Sequence, residues 1–154
     1  MFYSLFRRNS MNFRQMFSAD IEKVVPIYVE YYNVHEGREW TPEKAYKRIH
    51  QTLSREDSFA LMVEDKGQTL GFAMGFKRMY DDIESFYLEE IVIASEYQNK
   101  GYGSALLREI ERRVKEMGVA MVELDSVNDE MHHHFYGKAG YKNTTTLQGK
   151  SKWF

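Results

Sequence analysis

The segment from Gln98 to Gly103 places two glycines, Gly101 and Gly103, between a predicted strand and a predicted helix. Glycine lacks the side chain that would hold a bound phosphate away from the backbone, and it tolerates the positive φ angles that turn amide groups inward. Amides at the start of a helix attract anions, and the helix dipole adds to that attraction. The sequence therefore predicts an anion-binding loop here, with an ordinary glycine-rich turn as the alternative.

The residues around the two glycines discriminate among phosphate-binding loops. A Walker loop requires Gly-Lys-Ser/Thr, whereas Gly103 is followed by Ser104-Ala105-Leu106. A Rossmann fingerprint requires glycine or alanine where Leu106 stands, and its loop begins directly after the strand, whereas Ser95 to Lys100 intervene here. Glu123 does lie at the distance of the acid that binds a ribose, so a Rossmann-like dinucleotide binder stays open as an alternative.

Hydrophobic periodicity predicts the other elements. Alternating or continuous apolar runs predict strands, and apolar residues three and four apart predict helices. The predicted strands cover 12–17, 58–64, 69–78, 85–94 and 119–124, with one or two more in 141–154; the predicted helices cover 19–34, 42–53, 104–117 and 129–139. This order favours an α/β fold of the α+β type, with a mixed sheet and helices on its faces.

Composition narrows the class of protein. A chain of 154 residues with 43% hydrophobic and 29% charged residues fits one globular domain, and it contains no apolar run of the roughly 20 residues that span a membrane. A net charge of -2 with scattered basic residues argues against a nucleic-acid partner, and the lack of cysteine rules out disulfides and thiol nucleophiles. We expect a cytoplasmic protein with a single domain over 11–154 and an N-terminal extension over 1–10.

The run from Ile91 to Leu107 resembles the signature of the GNAT superfamily of N-acetyltransferases, which joins a strand to a QxxGxG or RxxGxG loop and an amphipathic helix. The segment from Phe135 to Tyr141 is similar to the second hallmark of that family. The resemblance implies a GNAT-like, mostly antiparallel central sheet of six to seven strands flanked by about four helices. It also implies direct transfer of an acetyl group from acetyl-CoA to a primary amine.

The resemblance assigns the contacts with CoA to two segments. The pantetheine arm would pair with the backbone of Ile91, Val92 and Ile93. The pyrophosphate would contact the loop, whose residues are Gln98, Asn99, Lys100, Gly101, Tyr102, Gly103 and Ser104. The family often has asparagine seven residues before its catalytic tyrosine. This chain has Asp129 there, so Asn128 is the candidate contact and Asp129 fits a helix N-cap equally well.

Acetylation of an amine requires a base, because an alkyl amine with a pKa of about 10.4 is protonated at neutral pH. Glu89 and Glu90 lie in the predicted central strand, where alternation lets only one of them face the cleft unless a bulge intervenes. The run from Tyr87 to Glu90 is similar to the Leu-Glu-Asp or Leu-Glu-Gly of polyamine and aminoglycoside acetyltransferases. We therefore predict Glu89 as the base and place Glu90 on a solvated face.

Tyr136 resembles the general acid of the family, a phenol with a pKa of about 10 placed to protonate a departing thiolate. The alternative is that Phe135 and Tyr136 only form the apolar face of the last helix. His132, His133 and His134 do not predict a metal site, because consecutive helical residues point about 100 degrees apart.

In the resembling family the acceptor groove lies between the first two helices and the turn between strands 3 and 4. Aromatic and acidic residues occur in both places, and the candidates are Tyr31, Tyr32, Glu36, Trp40, Asp81, Asp82, Glu84 and Glu89. These residues favour a cationic acceptor such as a polyamine or an aminoglycoside, with a protein N-terminus as another possibility. A non-catalytic acyl-CoA sensor stays open as an alternative function, and a homodimer is common in the family.

Overall fold

The computed structural model describes residues 10–154, so the expected extension over 1–10 lies outside the described residues except for Ser10. The strands are β1 (Met11–Gln15), β2 (Ser58–Asp65), β3 (Gln68–Met79), β4 (Glu84–Ile93) and β5 (Met121–Glu123). The helices are α1 (Ile21–His35), α2 (Pro42–Leu53), α3 (Tyr102–Glu116) and α4 (Glu130–Lys138). Within residues 10–154, no helix is long and apolar enough to cross a membrane.

The strands form one sheet in the order β1-β2-β3-β4-β5. The first four strands pair antiparallel with their neighbours, and β5 pairs parallel with β4. The mixed, mostly antiparallel sheet and the four helices confirm the predicted class. The expectation of six to seven strands is wrong, since the described part of the chain forms five. Residues 142–154 form no strand, because this mainly polar segment has no apolar face to pack against the sheet and leaves Trp153 93% exposed.

Alternating side chains of the central strands give the sheet two apolar faces. One face, with Met62, Phe72 and Met74, packs against α1 and α2. The opposite face, with Leu61 and Phe86, packs against α3 and further apolar residues around it. The sheet is therefore covered on both faces. A ligand could reach the middle of β4 only along the edge that faces β5.

Two irregularities make the middle of β4 accessible. β5 pairs only with Ser85, Phe86 and Tyr87, so the two strands separate after Tyr87. The pairing of β3 with β4 also shifts register, since Met74 lies opposite Glu90 and Gly75 opposite Leu88. Glu89 is thus an extra, bulged residue, and a bulge redirects the side chains that follow it. Both acids lie where the strands begin to diverge.

Gly75 makes this bulge possible, which gives a prediction for stability. A Cβ atom on residue 75 would lie 2.1 Å from the backbone oxygen of Tyr87 and 2.7 Å from the Phe86 ring. Because backbone atoms cannot yield as a flexible side chain does, we expect Gly75→Ala to lower the free energy of unfolding by about 3 kcal/mol. Thermal unfolding should show a fall in Tm of about 10 °C.

Gly149→Ala is the matched control, since a Cβ on residue 149 would meet no atom within 4 Å. Its Tm should match that of the unmodified protein. Equal Tm values for the two variants would mean that β3 and β4 do not approach each other as closely as described.

Candidate active site

Glu90 is the most deeply buried carboxyl of β4, with 8% of its surface exposed. The Tyr28 hydroxyl donates a hydrogen bond to its Oε1 at 3.4 Å, and the Tyr32 hydroxyl donates one to Oε2. Burial raises the pKa of Glu90 to about 7, although the bond from Tyr32 and the charge of Arg48 oppose that rise. The expectation that Glu90 lies on a solvated face is wrong, because the bulge at Glu89 breaks the simple alternation of side chains.

Glu89 is held by an ion pair. The Arg48 guanidinium of α2 donates to Glu89 Oε1 over 2.6 Å, and the Glu89 side chain is 17% exposed. Glu89 and Glu90 line one common cavity, so the structure brings both acids to the site. The two glutamates differ in their partners. Glu90 accepts hydrogen bonds from two neutral phenols, whereas Glu89 forms an ion pair with Arg48.

A cavity with a volume of about 540 Å³ lies next to Glu90, against α1, the segment that follows α1, and α2. Its lining residues are Tyr28, Tyr32, Glu36, Arg38, Glu39, Trp40, Lys44, Arg48 and Glu90. The rings of Tyr28 and Trp40 meet edge to face at 5.1 Å. Asn33 fixes Trp40 with two hydrogen bonds to its backbone, of 2.8 and 2.9 Å. We call this space the acceptor cavity; its wall is aromatic and its charges are of both signs.

A smaller cavity of about 90 Å³ occupies the gap between β4 and β5. Its lining residues are Tyr31, Tyr32, Glu36, Leu88, Glu89, Glu90, Ile91, Asp125, Ser126, Val127, His132 and Tyr136. Tyr32, Glu36 and Glu90 belong to both linings, so the two spaces meet at Glu90. We call this smaller space the transfer cavity, since it joins the acceptor cavity to the open edge of β4.

Tyr136 of α4 reaches the transfer cavity. Its ring meets those of Phe135 and Tyr141 at 4.9 and 5.6 Å, which fixes its position. Burial, followed by the charge of Glu90, raises the pKa of the Tyr136 phenol above its usual value of 10. The hydroxyl therefore stays protonated at neutral pH and is available as a hydrogen-bond donor.

The glycine loop enters α3 through left-handed backbone. Asn99 has φ 58° and Gly101, the N-cap of α3, has φ 86°. The amides of the first helical turn, which begins at Tyr102, have no partner within their own helix. Gly103 packs against the Phe135 ring, where a Cβ would come within 3.3 Å. The loop thus has the open amides and the missing side chains that an anion requires.

Gln98, a predicted contact of the pyrophosphate, ties the glycine loop to β4. Its Nε2 donates to the backbone oxygen of Ile93 at 2.9 Å, so it fastens the loop to the end of β4. Ile91 lines the transfer cavity on the free edge of β4, and Val92 and Ile93 follow it in the same strand. Lys100 is exposed, with its Nζ 5.8 Å from the centre of the Tyr97 ring.

Some predicted site residues lie apart from the cavities. Asn128 is exposed, and its Oδ1 accepts a hydrogen bond from His133 Nε2 at 2.6 Å. Asp129 is the N-cap of α4 and accepts from the His132 amide at 2.8 Å, as the alternative expectation had it. Asp81 is exposed in the β3–β4 turn and lines neither cavity. Among residues 10–154 no group of three metal-ligating side chains comes together.

Sequence reasoning missed Tyr28 and the three cations that line the acceptor cavity. Tyr28 has the helical spacing of a core residue, and it is buried, so its hydrogen bond to Glu90 gives no separate signal. Arg38, Lys44 and Arg48 are ordinary surface residues in the sequence. Lys44 and Arg48 lie four residues apart on α2, but their place in one cavity with Glu90 depends on how the helices pack on the sheet, which no local pattern encodes.

Comparisons with known proteins agree with this architecture. Residues 21–141 match the sequence model of the acetyltransferase (GNAT) family, which is more than two thirds of the chain. None of the curated proteins matches the chain in sequence.

Several solved structures share the fold. A possible acetyltransferase from Clostridium difficile 630 superposes with a TM-score of 0.80 at 13% identity, over 94% of this chain and 98% of that one. A GNAT family acetyltransferase from Staphylococcus aureus subsp. aureus USA300_TCH1516 gives 0.72 at 24% identity, over 93% and 99%. An aminoglycoside N-acetyltransferase in complex with CoA gives 0.71 at 17% identity, over 92% and 94%.

Proposed function

Because the chain belongs to the GNAT family of acetyltransferases, we propose that it moves the acetyl group of acetyl-CoA directly to a primary amine, with Glu90 as the proton acceptor. The observation that carries this proposal is a buried carboxyl, with a pKa raised to about 7, at the junction of two cavities. A Rossmann-like dinucleotide binder is wrong for this chain, since β1 to β4 are antiparallel and the sequence matches another family.

The chain offers a fitting place for acetyl-CoA. The left-handed backbone at Asn99 and Gly101 and the free amides at the start of α3 suit its pyrophosphate. The edge of β4 from Ile91 to Ile93 suits pairing with its pantetheine arm, because β5 has already diverged there. When bound, acetyl-CoA supplies an acetyl group activated as a thioester.

Glu90 accepts a proton from the incoming ammonium group, directly or through water, because a carboxylate with a pKa near 7 is a stronger base than an ordinary glutamate. The nitrogen then forms its bond to the acetyl carbon as the bond from that carbon to sulfur breaks. Of the two protons that the ammonium loses, one passes through Glu90 to solvent and the other ends on the thiol of CoA. The protonated Tyr136 hydroxyl lines the same cavity and stabilises the charge that develops on sulfur.

Glu89, which the sequence favoured as the base, has another role in this proposal. Its ion pair with Arg48 at 2.6 Å fixes the guanidinium at the rim of the acceptor cavity and leaves Glu90 as the carboxyl without a cationic hydrogen-bond partner. Glu89 still lines the transfer cavity, so it can contact the acceptor amine.

An amine that arrives as a cation fits the acids and ring faces of the acceptor cavity, notably Glu36, Glu90 and Trp40. Polyamines and aminoglycosides are therefore included in the first panel of acceptors. CoA release should rise with amine and saturate, whereas a non-catalytic acyl-CoA sensor would bind acetyl-CoA and release no CoA above the rate of hydrolysis.

The glycine loop gives a prediction for CoA affinity. Gly101→Ala places a side chain in left-handed backbone at a cost of about 1–2 kcal/mol, which should turn the loop amides away from the pyrophosphate. We expect acetyl-CoA to bind about tenfold more weakly, as measured by titration calorimetry.

Gly118→Ala is a matched control at the other end of α3, where φ is also positive at 96°. Both substitutions should lower Tm to a similar degree, and only Gly101→Ala should weaken acetyl-CoA binding. Normal affinity of Gly101→Ala for acetyl-CoA would mean that the pyrophosphate does not bind to this loop.

A further inference from the structure

The acceptor cavity contains as many cationic as acidic side chains. Arg38, Lys44 and Arg48 line it together with Glu36, Glu39 and Glu90. The sequence predicted an aromatic and acidic groove, so the three cations are a feature that a simple polyamine site does not require. A ligand that carried only positive charges would meet these cations as repulsive neighbours.

Two of the cations have no carboxylate of the described chain to neutralise them. Neither Arg38 nor Lys44 forms an ion pair with an acid of residues 10–154, although both side chains face a cavity that holds acids. Arg48 uses one nitrogen for Glu89 and keeps further N–H donors, because a guanidinium carries five. Donors for an anion are therefore available in the lining of the cavity.

Of the three cations, Arg48 acts directly on Glu90. The charge of Arg48 acts on both Tyr28 and Glu90, lowering the pKa that burial raises in each. Arg48 and Glu90 both contribute to the wall of the acceptor cavity. One small molecule can therefore present an ammonium group to Glu90 and an anion to Arg48 at the same time.

We propose that the acceptor is an amino carboxylate, whose ammonium group faces Glu90 and whose carboxylate is bound by Arg48 with Lys44 and Arg38. This inference rests on the proposed function and names the substrate class of the same site. Equal numbers of acidic and cationic lining residues favour a ligand with one charge of each sign. The planar guanidinium fork matches a carboxylate, and the rings of Tyr28, Tyr32 and Trp40 favour a ligand with an apolar side chain.

The test compares amines that differ only in the carboxylate. Phenylalanine, its amide and phenethylamine are assayed for kcat/KM by CoA release, together with spermidine and an aminoglycoside. One hydrogen-bonded ion pair is worth about 1.5–3 kcal/mol, so phenylalanine should exceed its amide and phenethylamine by about 10- to 100-fold. An apolar amino acid panel extends the comparison to other side chains.

Substitutions of the cations test whether they cause the preference for a carboxylate. Lys44→Met and Arg48→Met should each reduce the ratio of kcat/KM for phenylalanine to that for phenethylamine. The ratio is the readout because Arg48→Met also removes the partner of Glu89 and so lowers both values. Lys47→Met is the control, since Lys47 is exposed on α2 and lines neither cavity; it should keep the full ratio.

The possible outcomes distinguish failure of the amino carboxylate inference from failure of the proposed N-acetyltransferase function. Acetylation of spermidine, phenethylamine or the aminoglycoside with equal or higher kcat/KM overturns the amino carboxylate and leaves the N-acetyltransferase standing. Failure of every amine to release CoA overturns the proposed function, and the substrate class falls with it. A thermal shift of the CoA-bound protein that is larger for phenylalanine than for phenethylamine supports the inference independently of turnover.

Discussion

Glu90→Gln is expected to lower kcat by about 10²- to 10⁴-fold at neutral pH, because the amide cannot accept the proton of the acceptor ammonium group. The substitution keeps the shape of the side chain and one of the two oxygens that accept hydrogen bonds from the Tyr28 and Tyr32 hydroxyls. Affinity for acetyl-CoA should be unchanged, since Glu90 is not part of the glycine loop. Initial rates of CoA release and calorimetric binding measure the two quantities separately.

The dependence of kcat/KM on pH tests whether Glu90 acts as a base. The base must be ionised to act, so kcat/KM of the unmodified protein should rise through pH of about 7, the value to which burial raises the pKa of Glu90. This limb should be missing from Glu90→Gln. Glu89→Gln is the matched comparison: a larger loss there, with the limb near pH 7 abolished, would return the role of base to Glu89 as the sequence first suggested.

Glu90→Gln should also be more stable than the unmodified protein above pH 7. The pKa of Glu90 is higher in the folded state than its ordinary value of 4.5, so folding favours the protonated acid. Stability is therefore lost as pH rises from the ordinary pKa towards 7, by a total of about 3 kcal/mol. Glu90→Gln removes this loss, and an increase in Tm together with a fall in turnover would separate catalysis from a structural role.

Tyr136→Phe is expected to lower kcat by about 10²-fold with unchanged affinity for acetyl-CoA, because one preorganised donor to the departing sulfur is removed. The ring contacts with Phe135 and Tyr141 remain, so the fold should keep its stability. Steady-state rates with saturating amine and acetyl-CoA provide the measurement.

Tyr141→Phe is the control for that variant. The Tyr141 hydroxyl donates to Glu111 at 3.2 Å and lines neither cavity, so its loss should affect stability more than turnover. Undiminished turnover in Tyr136→Phe would leave Tyr136 as a part of the apolar face of α4, the simpler interpretation of its position.

The glycine loop could be predicted from sequence because its chemistry is local. Gly101 adopts a positive φ angle, and Gly103 packs closely against the Phe135 ring; both features require the absence of a side chain. The helix that follows is predicted by the spacing of its own apolar residues. The carboxyl that we propose as the base could not be predicted in this way. Which of Glu89 and Glu90 is buried depends on the register shift opposite Met74 and Gly75, and that shift involves another strand.

The remaining differences also come from long-range packing. Arg38 and Lys44 line the same cavity as Glu90 because α1 and α2 pack against one face of the sheet. The strand pattern also predicted one or two strands in residues 141–154, whereas this mainly polar segment forms none. The local pattern thus predicts the glycine loop, whereas the lining of the acceptor cavity depends on the fold.

Mass spectrometry of the amine after incubation with acetyl-CoA and the protein tests the central claim most directly. The amino carboxylate panel, polyamines and aminoglycosides serve as acceptors, with Glu90→Gln as the paired protein. We predict an acetylated amine that appears with the unmodified protein and is strongly reduced with the variant. Saturable binding of acetyl-CoA without any acetylated amine would contradict the account and favour a sensor of acyl-CoA.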